Sequence, residues 1–177
     1  GVGLSLGTAL RGPNRLDFRY RIEDVTLKDV VDTNAYVDVN GDPFFFSEEE
    51  NRISSSLSAT WTRDTRNNFF VPTRGMRSYL TGTLMGGPLG FDTDLYGMEA
   101  GISAHFPLWL NHVLSLRGRL EVVDGYGKTE EVPLPERLFC GGSRTVRGFR
   151  YRWVGPKVER ADGSGTVRPS GGQTLGV

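Results

Sequence analysis

Taking every second residue from Arg15 to Glu23 separates two chemistries: Leu16, Phe18, Tyr20 and Ile22 on one side, Arg15, Asp17, Arg19, Arg21 and Glu23 on the other. Successive side chains of a β-strand point to opposite faces, so this period of two marks a strand with one apolar and one polar face. The design recurs from Tyr96 to Phe106, where Tyr96, Met98, Ala100, Ile102, Ala104 and Phe106 oppose Gly97, Glu99, Gly101, Ser103 and His105. It recurs again where Leu114, Leu116, Leu120 and Val122 oppose Ser115, Arg117, Arg119 and Glu121. Less complete versions lie at Val2–Leu10, Ile53–Trp61 and Arg74–Met85. No segment carries an apolar period of 3.6 residues with caps, so almost no helix is expected. The 24 glycines favour strands and tight turns over helices, since a glycine costs about 1 kcal/mol in a helix interior.

The connections carry a second pattern. "RGPN" and "PLWLNH" are short, whereas residues 26–52 and 124–172 form long loops, with "DTRNNFFVPT" and "GGPLGFD" between these extremes. In an antiparallel meander, successive connections fall at opposite ends, so the short turns and the longest loops are expected at different ends. Strands of nine to eleven residues, short turns at one end and long loops at the other are the pattern of a transmembrane barrel. Trp61, Tyr96, Phe106 and Trp109 near strand ends fit interfacial girdles. A soluble sandwich with one wet face also alternates, but its strands usually run five or six residues. Six strands cannot enclose a water-filled interior, so the expected fold is all-β, an antiparallel meander forming an arc of a larger barrel. "GGQTLGV" reads as the start of a seventh strand, and a chain beginning at Gly1 without a signal sequence reads as part of something longer.

Equal numbers of basic and acidic residues, 21 of each, give no overall drive toward nucleic acid. Any cationic function is therefore local, and "CGGSRTVRGFRYRWVGPK" is where cations and glycines concentrate. "RGFRYRWV" superficially resembles an RNA-binding strand, but Arg150 stands where that pattern needs glycine or alanine. "GGSRTVRG" lacks the Gly-Lys-Ser/Thr ending of a phosphate loop. Asp38, Asn40 and Asp42 in "DVNGD" alternate as calcium ligands do, without the spacing or flanking helices of a calcium loop, and read as a solvated turn. His105 and His112 are not at metal spacing, Cys140 is the sole cysteine, and no serine sits in a nucleophile elbow. Neither a metal site nor a cofactor nor an enzymatic centre is expected.

Two stretches read together carry a family resemblance. Leu138–Lys157, "LFCGGSRTVRGFRYRWVGPK", resembles the sixth extracellular loop of BamA-type outer-membrane assembly proteins, with its Val-Arg-Gly-Phe tip, preceding Gly-Gly-Ser and following Gly-Pro. Thr62–Gly82, "TRDTRNNFFVPTRGMRSYLTG", is similar to the turn and following strand of the same family. The resemblance implies that residues 1–177 are part of a 16-stranded outer-membrane β-barrel, supplying strands six to eleven and the start of the twelfth, and that periplasmic transport-associated domains precede it.

The function implied by the resemblance is assembly and insertion of unfolded β-barrel client proteins into the bacterial outer membrane without cofactor. The partners would be the lipid bilayer, the clients and periplasmic accessory lipoproteins, with no nucleic acid. A translocation-assembly or two-partner secretion pore of the same superfamily shares the loop motif and is the alternative. The loop, residues 140–157, would fold back into the lumen with Val146, Arg147, Gly148 and Phe149 at its tip. Arg147 would lock onto acidic residues of the inner wall, and Phe149 would wedge against that wall. Gly141, Gly142, Ser143, Gly155 and Pro156 would support the loop. The acidic partners in the family lie on strands after Val177, with Glu99 and Glu121 as secondary candidates. Arg144, Arg150 and Arg152 read as solvated loop charges.

Overall fold

The computed structural model describes residues 1–26, 36–37, 51–90, 93–129 and 131–177. The "DVNGD" stretch and most of the first long loop lie outside them. Seven strands form one antiparallel sheet: β1 (Val2–Ala9), β2 (Asn14–Thr26), β4 (Asn51–Asp64), β5 (Gly75–Met85), β6 (Leu95–Pro107), β7 (Val113–Gly125) and β10 (Thr174–Gly176), paired in that order. Each alternating segment of the sequence becomes one of these strands, and "GGQTLGV" supplies the seventh, which pairs with β7. The only helical pieces among the described residues are three-residue 3-10 turns at Gly87–Leu89, Trp109–Asn111 and Leu134–Glu136.

The registers keep every strand in phase. One row across the sheet runs Leu6, Phe18, Ala59, Gly82, Met98, Val122 and Thr174; the next runs Gly7, Asp17, Thr60, Thr81, Glu99, Glu121 and Leu175. Adjacent rows face opposite sides of a pleated sheet, so from β1 to β7 one face is predominantly apolar and the other predominantly polar, while the short β10 puts Thr174 on the first and Leu175 on the second. Among the described residues the apolar face has no partner: Leu4 is 75% exposed and Leu120 64%. The fully buried apolar side chains among the described residues, Tyr36, Leu95, Val132 and Val158, all sit at the long-loop end. The sheet therefore has no core of its own, and burial of its outer face must come from a surrounding medium.

The turns at 10–13, 65–74 and 108–112 close one end of the sheet, so the two shortest turns fall opposite the two longest connections, as the loop lengths predict. The described parts of the long connections carry structure that the sequence does not show. A small second sheet joins β3 (Tyr36–Val37), β8 (Lys157–Arg160) and β9 (Val167–Pro169). Two strands of four and three residues are too short to show a period. Their turn is nonetheless written in "ADGSG", where the Asp162 side chain accepts the Ser164 N–H at 2.9 Å.

At the same end, Asp94 ties two connections together, the one between β5 and β6 and the one after β7. Its carboxylate is buried and accepts the backbone N–H of Gly87 at 2.5 Å and of Lys128 at 3.2 Å, while its own N–H donates to the Thr129 hydroxyl at 2.9 Å. Tyr126 adds a hydrogen bond from its hydroxyl to the Met85 carbonyl at 3.0 Å. The two donated N–H groups, Gly87's first, hold the Asp94 pKa below the ordinary carboxylate range.

Leu80→Arg, at the middle of β5 on the apolar face, should destabilise the full-length protein in lipid vesicles by about 2–4 kcal/mol, and Ser58→Lys on the opposite face by much less, measured by denaturant unfolding. Because the folded-state pKa of Asp94 is depressed, its stabilisation is complete above about pH 4 and lost as pH falls from there through the lower folded value. Amide exchange at Gly87 and Lys128, corrected for intrinsic rate, should accelerate only in that acidic window, whereas Asp94→Asn should exchange fast already at neutral pH.

Candidate functional site

The loop of residues 140–157 leaves the long-loop end on a stem built by residues that alternation does not mark. Leu138 and Gly172 exchange backbone hydrogen bonds at 2.8 and 2.9 Å. Beside them Arg137 donates from Nε to the Val132 carbonyl at 2.7 Å and from Nη1 to the Ser170 carbonyl at 3.3 Å, with Glu131 3.5 Å from its Nη2. Burial pushes the Arg137 pKa down, and Glu131 partly opposes that shift. This guanidinium clasps both limbs of the stem.

Above the stem, Cys140 and Val154 form an isolated bridge, the Val154 N–H donating to the Cys140 carbonyl at 3.0 Å. Between them the chain folds tightly. Gly141 N–H donates to the Thr145 hydroxyl at 2.8 Å, Thr145 N–H to the Gly142 carbonyl at 3.3 Å, and Gly142 N–H to the Val146 carbonyl at 3.2 Å. Gly141 is buried at φ +111, and a Cβ there would lie 2.6 Å from the Arg150 carbonyl oxygen. Both conformation and space therefore require glycine. Gly148 is at φ +89 with open space around it, so its requirement is conformational alone. At the loop's far end, Gly155 and Pro156 lead into β8, and the Pro156 carbonyl accepts the Ser170 N–H at 3.1 Å.

The tip turns back against the polar face of the main sheet. Ser143, Arg144, Thr145 and Arg147 line a cavity of about 750 Å³. Its other walls are β5–β7, through residues such as Arg77, Tyr79, Arg117 and Arg119, and the 65–74 turn at the opposite end of the sheet. Val146 is half-buried, whereas Arg147, Gly148 and Phe149 are exposed, and Phe149 takes no part in lining the cavity. Among the described residues Arg147 has no ion pair and no side-chain hydrogen bond.

The remaining loop arginines do not all behave as solvated charges. Arg150 stacks over Trp153 at 4.8 Å, and Arg152, at φ +62, lies over Phe139 at 4.4 Å and Tyr151 at 5.3 Å. Such cation–π contacts fasten the base of the loop. Sequence alternation could not show them, because the segment is irregular and Phe139 comes from the opposite limb of the loop. Arg144 alone of the three has only the cavity as its surroundings.

On the wall, Glu99 and Glu121 stand directly opposite each other on β6 and β7. Neither receives the loop. Arg119 Nη2 donates to Glu121 at 2.8 Å, and its Nε lies 2.9 Å from Glu99, off the line of the N–H, as an ion pair without a hydrogen bond. The Tyr79 hydroxyl donates to the same Glu99 oxygen at 2.6 Å, and its ring lies across Gly101, where any Cβ would collide with it. The Arg-x-Glu spacing of Arg119 and Glu121 on a polar strand face is a signal in the sequence that could have revealed this pairing.

Among the described residues no group of three metal-ligating side chains converges, and His105 hydrogen-bonds Ser115 across the ladder at 2.9 Å. The site is thus a glycine-shaped loop holding an uncommitted guanidinium inside a curved, two-faced sheet. A fold and site of this kind define a segment of an outer-membrane β-barrel with an inward-folded loop. The sequence profile of the Omp85 superfamily domain matches residues 1–177, and the chain belongs to that superfamily.

It is 31% identical over 140 residues to the outer membrane protein assembly factor BamA of Nitratidesulfovibrio vulgaris, a match covering 78% of this chain and 16% of that protein. With the BamA of Neisseria meningitidis serogroup B the identity is 35% over 99 residues, covering 55% and 12% respectively. A SAM50-like protein of Schizosaccharomyces pombe is 34% identical over 125 residues, covering 68% and 26%. The crystal structure of BamA from Haemophilus ducreyi lacking POTRA domains 1–3 superposes with a TM-score of 0.74 at 22% identity, over 98% of this chain and 35% of that one, which establishes the shared fold. The chain spans less than a fifth of the length of either BamA relative.

Gly141→Ala in the full-length protein should loosen the loop by about 1–3 kcal/mol, the cost of a non-glycine residue in so sparsely populated a conformation. Limited proteolysis between residues 140 and 157 should become faster than in the unaltered protein, with the barrel strands still protected.

Proposed function

We propose that the protein containing this chain assembles and inserts β-barrel client proteins into the outer membrane, working as a scaffold without cofactor and without enzymatic chemistry. The observation that carries this reading is the return of the loop tip to the polar wall, which brings Arg147 into the cavity beside β5–β7. The BamA relatives, named as outer membrane protein assembly factors, support it.

In this reading Arg147 is the locking group of the loop. A guanidinium offers five donors in a rigid fork, suited to gripping a carboxylate bidentately in a confined site. Glu99 and Glu121 are held by Arg119, and Asp64 by Arg66; the family resemblance puts the partner of Arg147 on strands following Val177. Gly148 supplies the backbone turn that Arg147 needs. Phe149, exposed within this chain, meets a surface contributed by those same later strands. The apolar outer face contacts lipid, unfolded clients approach from the periplasmic side, and accessory lipoproteins attach to the domains preceding the barrel. The 177 residues are in this reading a single partial barrel domain of 16 strands in all.

The test is complementation of cells depleted of the full-length protein. Arg147→Ala is expected to lower outer-membrane protein levels by about tenfold, the effect of losing one charge-assisted contact. Arg160→Ala, in an exposed pair with Asp162, should leave them unchanged. Equal levels in both variants would reject the lock. Normal barrel assembly together with lost secretion of one polypeptide would favour the secretion pore.

A further inference from the structure

The inner wall shows an electrostatic regularity. Arg15 lies 2.7 Å from Asp17, Arg21 2.9 Å from Glu23 and Arg119 2.8 Å from Glu121. In each case the partners are two residues apart on one strand, the spacing that returns a strand to the same face, and at the end of β4 Asp64 pairs at 2.6 Å with Arg66 of the following turn. Glu99 has no such neighbour on its own strand. It is held instead by Arg119 from β7 and by the Tyr79 hydroxyl from β5.

The two glutamates are also screened in space. Tyr79 and Arg119 line the cavity that contains Arg144 and Arg147, whereas Glu99 and Glu121 do not. The glutamates line a separate cavity of about 130 Å³ together with Thr81 and the stem residues Glu136 and Leu138. Two carboxylates directly opposite on a ladder repel unless a cation bridges them. Arg119 is already ordered on the strand and reaches both carboxylates, whereas the loop arginines, which share its cavity, would have to order additional chain to reach them. The strand arginine has the smaller entropic cost.

We propose that Arg119 is a specificity-determining residue. By bridging Glu99 and Glu121 it withholds them from Arg144 and Arg147, so that the loop lock stays available for a carboxylate elsewhere in the barrel. Tyr79 assists by occupying Glu99 and closing the gap over Gly101. The inference rests on the docking of the loop proposed above and adds the device that directs it.

The test uses the full-length protein with Cys140→Ser and pairs of introduced cysteines, treated in membranes with a short bismaleimide. One pair is Ser143→Cys with Ser103→Cys, which share the loop cavity. The other is Ser143→Cys with Thr81→Cys, which joins the loop to the glutamate cavity. Arg119→Gln is expected to lower the 143–103 yield about threefold, in line with the worth of partly exposed ion pairs, and to raise the 143–81 yield. Adding Glu99→Gln and Glu121→Gln should return both yields to their starting values, because nothing then attracts the loop away.

Unchanged yields in Arg119→Gln, or the same fall in the triple variant, would overturn the inference even if activity is lost. If Arg119→Gln does not reach the membrane, Arg119→Lys, which cannot hold both glutamates with one fork, should give a smaller shift in the same direction, and no shift would overturn it. Absence of the 143–103 cross-link in the starting protein would remove the docking reading itself, and this inference with it.

Discussion

Everything in this structure depends on an unbroken register across seven antiparallel strands. Side chains alternate with a period of two, so a slip of one residue in any strand would turn its apolar set into the polar side and its arginines outward. The rows through Leu6 and Gly7 stay in phase from β1 to β10. That phase makes one face predominantly apolar and the other predominantly polar. Among the described residues the apolar face packs on no second layer, so the hydrogen-bonded ladder, and not a hydrophobic core, holds the sheet as a unit.

On the polar side, the wall pairs part of its charge locally. Same-face neighbours two residues apart pair on β2 and β7, and Arg119 extends the scheme across strands to Glu99. Arg77 and Arg117 have no ion pair among the described residues, and the loop of residues 140–157 adds Arg144 and Arg147 to the cavity that they line. The loop takes its shape from glycines at the few positions where backbone and space forbid a side chain. Its base is fixed by Arg137 across the stem and by arginines stacked on Phe139 and Trp153.

Much of the fold was legible beforehand because alternation is a local property. The six segments from Val2 to Val122 and the beginning strand at the end of the chain all appear as strands, since each must present one face to an apolar surround and one to a polar one. The small sheet of β3, β8 and β9 was not legible, because pairings of two to four residues leave no period to read. The loop motif could be recognised from its glycines and its Val-Arg-Gly-Phe tip. The aromatic seats of Arg150 and Arg152 could not, because cation–π contacts in irregular chain leave no spacing rule. Glu99 and Glu121 could be placed on the polar face, and the Arg-x-Glu spacing signals the pairing of Arg119 with Glu121, but the attachment of Glu99 to Arg119 required knowing how β6 and β7 pair.

The sequence by itself determined the class of structure, a two-faced antiparallel meander with a glycine-shaped basic loop, because strand periodicity and backbone conformational limits act between neighbours along the chain. Only the tertiary structure decided which charges answer which. It closed Glu99 and Glu121 behind Arg119 and Tyr79, clasped the loop stem with Arg137, and left Arg147 open in a cavity that Arg77 and Arg117 also line. Those outcomes rest on distances between residues far apart in sequence, and electrostatic pairing in a confined space is set by such distances, not by composition or spacing.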